Sequence, residues 1–149
     1  MNSNPAKSYL KRYRSILKRA DSIRRSIDEA HERAVSVSVS LSADKVSGSG
    51  AYDRMAEDVV RAADLCEKLY EQLNAARTAL EEILEAIASV PDETQKAVLT
   101  MRYVEGKSWE QIQEAIAYEK TQAFVLHGRG LYHVNMWLKQ RTKTEYGSW

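Results

Sequence analysis

The chain is short of the residues that break, bend or cross-link a backbone: 149 residues include one cysteine, two prolines, six glycines and a single phenylalanine. A lone Cys66 excludes an intrachain disulfide framework and suits a reducing interior, so a cytoplasmic protein is expected. With proline confined to positions 5 and 91, little interrupts long helices. No apolar run approaches the roughly 18 residues of a membrane span. The opening Met1-Asn2-Ser3-Asn4-Pro5 lacks the apolar core of a secretory signal, so no membrane partner is expected. Also lacking are a Gly-rich phosphate loop, a HExxH zinc motif and any nucleophile–base arrangement. His127 and His133 lie six apart without a cysteine or carboxylate at ligand spacing, and His31 reads as a solvated helix residue. Glu81, Glu82 and Glu85 read as a solvated acidic face. The expectation is a non-enzyme with no metal and no other cofactor.

Leu, Glu, Ala, Lys, Arg and Gln dominate what is present, a composition that points to an all-α protein. The net charge of +1 selects no partner, but its distribution is uneven. Residues 1–34 carry nine Lys/Arg against four Asp/Glu, and residues 53–89 carry four against nine. Helices of opposite sign suit each other, and the alternative is that the basic one lies along DNA phosphates. The first helix is expected from Asn4 as N-cap and Pro5 at the first turn, with Leu10, Tyr13, Leu17, Ala20, Ile27, Ala30 and Ala34 on one face. The second shows a 4-3 row of Ala56, Val59, Ala63, Cys66, Tyr70, Leu73, Leu80, Leu84 and Ile87, interrupted by Arg77. A flanking row of Met55, Ala62, Leu69, Ala76, Ile83 and Val90 repeats every seven residues. Such heptads predict an antiparallel helical hairpin or coiled coil over residues 1–89, pairing further between chains as a homo-oligomer, with a dimer favoured. Within it, residues 35–51 read as a flexible Ser/Gly connector. The Val/Ser alternation of residues 35–42 has the period of a strand, so it is expected either as irregular chain or as a short edge strand.

Residues 90–138 read as three helices separated by two tight turns. Asp92 caps the first, with Gln95 at capping-box spacing, and Gly106 stops it. Ser108 and Gln111 repeat the capping box for the second, and Ala117-Tyr118-Glu119 turns the chain into the third. That is the layout of a helix-turn-helix domain, in which the last helix enters the major groove of double-stranded DNA. The expected core is Trp109, Ile112 and Ile116 from the middle helix, Ala123, Leu126, Gly130, Leu131 and Val134 from the last, and Val98, Leu99, Met101 and Tyr103 from the first. The outward face is then Lys120, Thr121, Gln122, Phe124, Val125 and Arg129. Lys120 and Arg129 would neutralise phosphates, Thr121 and Gln122 would bond base edges, and Phe124 or Val125 would touch a thymine methyl. Arg102 is expected to pair with Glu105 or Glu110, or else with phosphate. Residues 139–149 are expected as a frayed polar tail.

The run from Gln95 to Ile112, with Leu99-x-x-Arg102-Tyr103, then Gly106, then Ser108-x-x-Gln111-Ile112, resembles region four of sigma-70-type factors. Its continuation Leu126-His127-Gly128-Arg129-Gly130-Leu131 looks like phage-encoded, sigma-region-four-like regulators of the ArpU and RinA type, largely described as a domain of unknown function. The basic first helix, the Asp44–Gly50 segment and the acidic second helix fit that group too. The resemblance implies a transcription regulator of phage or prophage late genes, acting with host RNA polymerase in a bacterial cytoplasm. The chain departs from the sigma pattern at Glu119, which stands where Ser or Thr is usual, and at Phe124 and Val125, where Arg or Gln is common. Two other readings remain: a small-terminase-like DNA-packaging oligomer, and a protein-interaction adaptor on the same fold that uses Phe124 and Val125 as its contact patch.

Overall fold

The computed structural model describes residues 4–43 and 49–147, and every regular element among them is an α-helix. The elements are α1 (Pro5–Ala43), α2 (Ser49–Ala88), α3 (Glu93–Tyr103), α4 (Trp109–Ile116) and α5 (Lys120–Tyr146). The all-α expectation holds. The chain divides into two compact units, and each long helix contributes to both.

The larger unit combines residues 1–15 with residues 76–149. The boundary expected at residues 89–90 therefore runs through its middle, because the end of α2 is part of this core. Ala6 and Leu10 from α1, Ile83, Ala86, Ile87 and Val90 from the end of α2, Leu99 and Tyr103 from α3, and Leu131 and Val134 from α5 form one buried cluster. A second cluster of Val98, Met101, Ile112 and Leu126 joins α3, α4 and α5. The start of α1 is tied down by two asparagines. Asn4 Oδ1 accepts from the Ala6 amide (3.1 Å), the cap role expected of it, and also from Asn135 Nδ2 (3.1 Å). Asn135 Oδ1 accepts in turn from the same Ala6 amide at 2.8 Å. The Ala6 N–H, an orphan donor of the first turn, is thus shared between Asn4 and an asparagine more than a hundred residues away. Arg12 and Glu82 pair nearby at 2.6 Å, so the start of α1 and the end of α2 meet with opposite charge.

The smaller unit, residues 16–75, holds the rest of α1 and α2, bridged by Arg33 and Asp58 at 3.4 Å. Ala20 and Ala30 are its buried apolar side chains among the described residues. On α2, Met55, Ala62, Leu65 and Leu69 are half-buried, whereas Val59, Cys66, Tyr70 and Leu73 are exposed. The row expected as a flank is thus the covered one, and the row expected as the seam is open.

Two expectations at helix ends are corrected. The Val35–Ser42 alternation is neither strand nor irregular chain: α1 runs through it to Ala43. A strand there would need a partner, while extending an existing helix requires no new nucleation. Val37 is half-buried, and Val35 and Val39 are exposed. Of the expected connector, residues 44–48 lie outside the described residues, and Ser49 and Gly50 already belong to α2. At the other end α5 continues to Tyr146, so the tail is not frayed over residues 139–146. Arg141 anchors it by donating to Tyr9 Oη (3.2 Å) and lying over the Trp137 ring.

Candidate nucleic-acid interface

Local sequence sets the three short elements. Asp92 accepts from the Gln95 amide at 2.9 Å and starts α3. The Gln95 side chain does not return the bond, since its Oε1 is buried and unpaired among the described residues. Gly106 stops the segment with φ +69°, and a side chain there would collide with the Arg14 guanidinium. Ser108 and Gln111 form a complete capping box for α4, with bonds of 3.2 and 2.9 Å. Ala117 then takes the left-handed conformation (φ 55°, ψ 33°), which turns the chain abruptly into α5. An alanine there carries a steric cost of roughly 1–2 kcal/mol that the surrounding packing must offset.

Packing fixes the rotation of α5. Ala123, Leu126, Gly130, Leu131 and Val134 are buried. Gly130 lets α5 approach α3 so closely that an added Cβ would lie 2.9 Å from Leu99 Cδ1. Every inward residue expected for α3 and α5 is buried, while Trp109 and Ile116 of α4 are partly so. With that side occupied, Lys120, Thr121, Gln122, Phe124, Val125 and Arg129 are all exposed. These six side chains share one accessible surface along the first turns of α5. The helix as a whole carries five Lys/Arg against Glu145 alone.

Beside this surface is an aromatic cluster that sequence spacing did not reveal. Trp109 meets Phe124 edge to face at 4.6 Å between centroids and His127 at 4.9 Å. His127 stacks on Tyr103, and the Tyr103 hydroxyl and His127 Nε2 share a hydrogen bond of 2.7 Å. Burial pushes the His127 pKa down to about 4, with help from the positive charges of Lys7 and Arg102. Burial likewise pushes the Tyr103 hydroxyl up to about 12, opposed by Arg102. Both groups are therefore neutral near pH 7, so the bond joins a neutral hydroxyl to a neutral imidazole. Arg102 itself meets neither expected carboxylate. It donates to the Lys107 carbonyl (3.1 Å) and lies over the Trp109 ring, while Glu105 pairs with Lys107. The pairing was not legible because residues 103, 109 and 127 meet only once α3, α4 and α5 have packed.

The electrostatics of the surface are mixed. Lys120 Nζ sits 5.8 Å from the Phe124 centroid, and Arg129 is exposed one turn beyond Val125. Glu119, the N-cap of α5, makes no side-chain capping bond, and Glu110 and Glu114 of α4 are exposed. Tyr132 and Met136 continue the exposed face along α5. No metal-holding cluster occurs among the described residues, and no described helix is long and apolar enough to cross a membrane. Comparison with protein-family models, curated proteins and solved structures finds no match.

Proposed function

We propose that this protein binds double-stranded DNA through the first turns of α5, as a helix-turn-helix module, and that it regulates transcription. The observation that carries the reading is the rotation of α5: Leu126, Gly130 and Val134 are held inward, which leaves Lys120, Thr121, Gln122, Phe124, Val125 and Arg129 exposed over the arc away from the core. A helix presented in this way by two shorter ones, after a three-residue turn, has the dimensions and hydrogen-bonding groups that a major groove accepts. Lys120 and Arg129 supply phosphate contacts, and Thr121 and Gln122 supply base contacts. Exposed Phe124 and Val125 supply apolar contact with thymine methyls. The finer reading, control of phage late genes together with host RNA polymerase, rests on the sequence resemblance alone. Self-association would bring two such helices to neighbouring half-sites and raise affinity through effective concentration.

The test is duplex binding across a salt series. Binding that falls steeply with rising salt is expected. Lys120→Ala and Arg129→Ala should each weaken binding to every duplex and flatten the salt slope by about one. Gln122→Ala should reduce discrimination between sequences more than overall affinity. Failure to bind any duplex at low salt, or binding untouched by both charge removals, would refute the assignment. A protein-contact role for the same surface is the second reading. It is favoured by the exposure of Phe124 (42%) and Val125 (38%) beside exposed Glu110, Glu114 and Glu119, whose charge repels phosphate.

A further inference from the structure

The smaller unit carries an apolar row that its own chain leaves uncovered. Met55, Ala62, Leu65 and Leu69 of α2 are half-buried, and α1 is the other helix of that unit. About 100° around the same helix, by the 3.6-residue period, lie Ala56, Val59, Ala63, Cys66, Tyr70 and Leu73, all exposed. Val59 is 55% exposed, Tyr70 69% and Leu73 48%. Their spacing alternates three and four, the period of a coiled-coil seam. The core of this unit is thin, with Ala20 and Ala30 buried. Two helices joined by so little apolar burial gain by covering a second face.

We propose that this row is the interface with a second copy of the same chain, the two α2 helices running antiparallel across a two-fold axis between Asp64 and Leu65. The other helix of the unit is the poorer match: Ile16, Leu17, Ile23, Ile27 and Ala34 of α1 are already half-buried, and its exposed side chains include Lys18, Arg19, Arg24 and Arg25. An isologous contact of the row with itself is therefore the match available within this molecule. Side-chain size sets the direction. Antiparallel layers place Ala56 on Leu73 of the second copy, Val59 on Tyr70 and Ala63 on Cys66, so each small residue receives a larger one. Parallel layers would stack Tyr70 on itself and leave two alanine layers underfilled, which dense cores do not tolerate. The apolar surface covered is on the order of 1,000 Å² for the pair, the lower bound of a specific interface. Glu67 is the acidic residue bordering the row, so pairing brings it towards its own copy and added salt does not weaken the contact.

The inference deepens the self-association part of the proposed function and is independent of duplex binding, which salt weakens. The full chain is used throughout. Light scattering at tens of micromolar should give a dimer. Leu73→Glu and Val59→Glu should each weaken dimerisation at least tenfold, with helical circular dichroism unchanged. Direction is read from disulfide trapping in the Cys66→Ala background, where Val59→Cys and Tyr70→Cys chains are oxidised alone and mixed. Antiparallel pairing gives a covalent dimer only from the mixture. Self-coupling of either chain alone, a monomeric wild type, or a ring of eight or more subunits would overturn the proposal.

Discussion

Two glycines two residues apart on α5 provide a direct check of how that helix is turned. Gly128 is exposed with no atom within 4 Å of an added Cβ, whereas at Gly130 the Cβ would meet Leu99 Cδ1 at 2.9 Å and Cγ at 3.1 Å. Alanine gains about 1 kcal/mol of helix propensity over glycine at either position. At Gly128 nothing opposes that gain, so Gly128→Ala should stabilise the protein by about 1 kcal/mol. At Gly130 the methyl must displace Leu99, which is fully buried, and overpacking of this kind costs about 1–3 kcal/mol. Gly130→Ala should therefore be neutral to destabilising, and the two variants should differ by about 1–3 kcal/mol. Urea unfolding followed by circular dichroism measures the difference. A third variant makes the cause specific. Leu99→Ala will itself destabilise, by about 2–5 kcal/mol, but in that background the methyl at position 130 has room and should stabilise. If Gly130→Ala stabilises as much as Gly128→Ala, α5 is not seated on α3 through that face. The surface assigned to DNA would then point elsewhere.

Other outcomes follow from single contacts. His127 has its pKa lowered from 6.5 to about 4 in the folded chain, so the unfolded chain binds the proton more readily between those values. Its contribution is full above pH 6.5 and is lost as pH falls from 6.5 through 4. Discounted for partial solvent access, the loss is about 1–2 kcal/mol, read as the difference in urea stability between wild type and His127→Phe at pH 7.5 and 4.5. An NMR titration placing His127 at or above 6.5 would contradict this. Asn135→Ala removes one of the two acceptors of the Ala6 amide and a donor to Asn4, and should cost about 1 kcal/mol. Wild-type stability in that variant would show that the two asparagines do not hold the start of α1.

What the sequence disclosed was local. The caps at Asp92 and Ser108, the stop at Gly106 and the inward positions of α3 and α5 each depend on residues within a few turns, where propensity and period are strong. What it concealed depends on meetings between distant segments. Arg102 was expected on a carboxylate because Glu105 and Glu110 are near in sequence, but the Trp109 face and the Lys107 carbonyl lie closer in space. On α2 both rows are equally apolar on paper, and only the fold decides that Leu65 and Leu69 are half-buried while Tyr70 and Leu73 are exposed. The Val/Ser alternation misled because period two carries meaning only where a neighbouring strand exists. The six residues assigned to the DNA surface are all accessible, which their spacing opposite Leu126, Gly130 and Val134 had already implied.

The bonds between Asn4, Ala6 and Asn135 have a consequence for the order in which the protein is made. The ribosome releases the first turns of α1 long before α5 exists, and the bonds that finish those turns arrive only when residue 135 has emerged. The α3–α5 module is therefore not a portable cassette: residues 90–149 grafted onto another carrier would lack Ala6 and Leu10, which help fill its core.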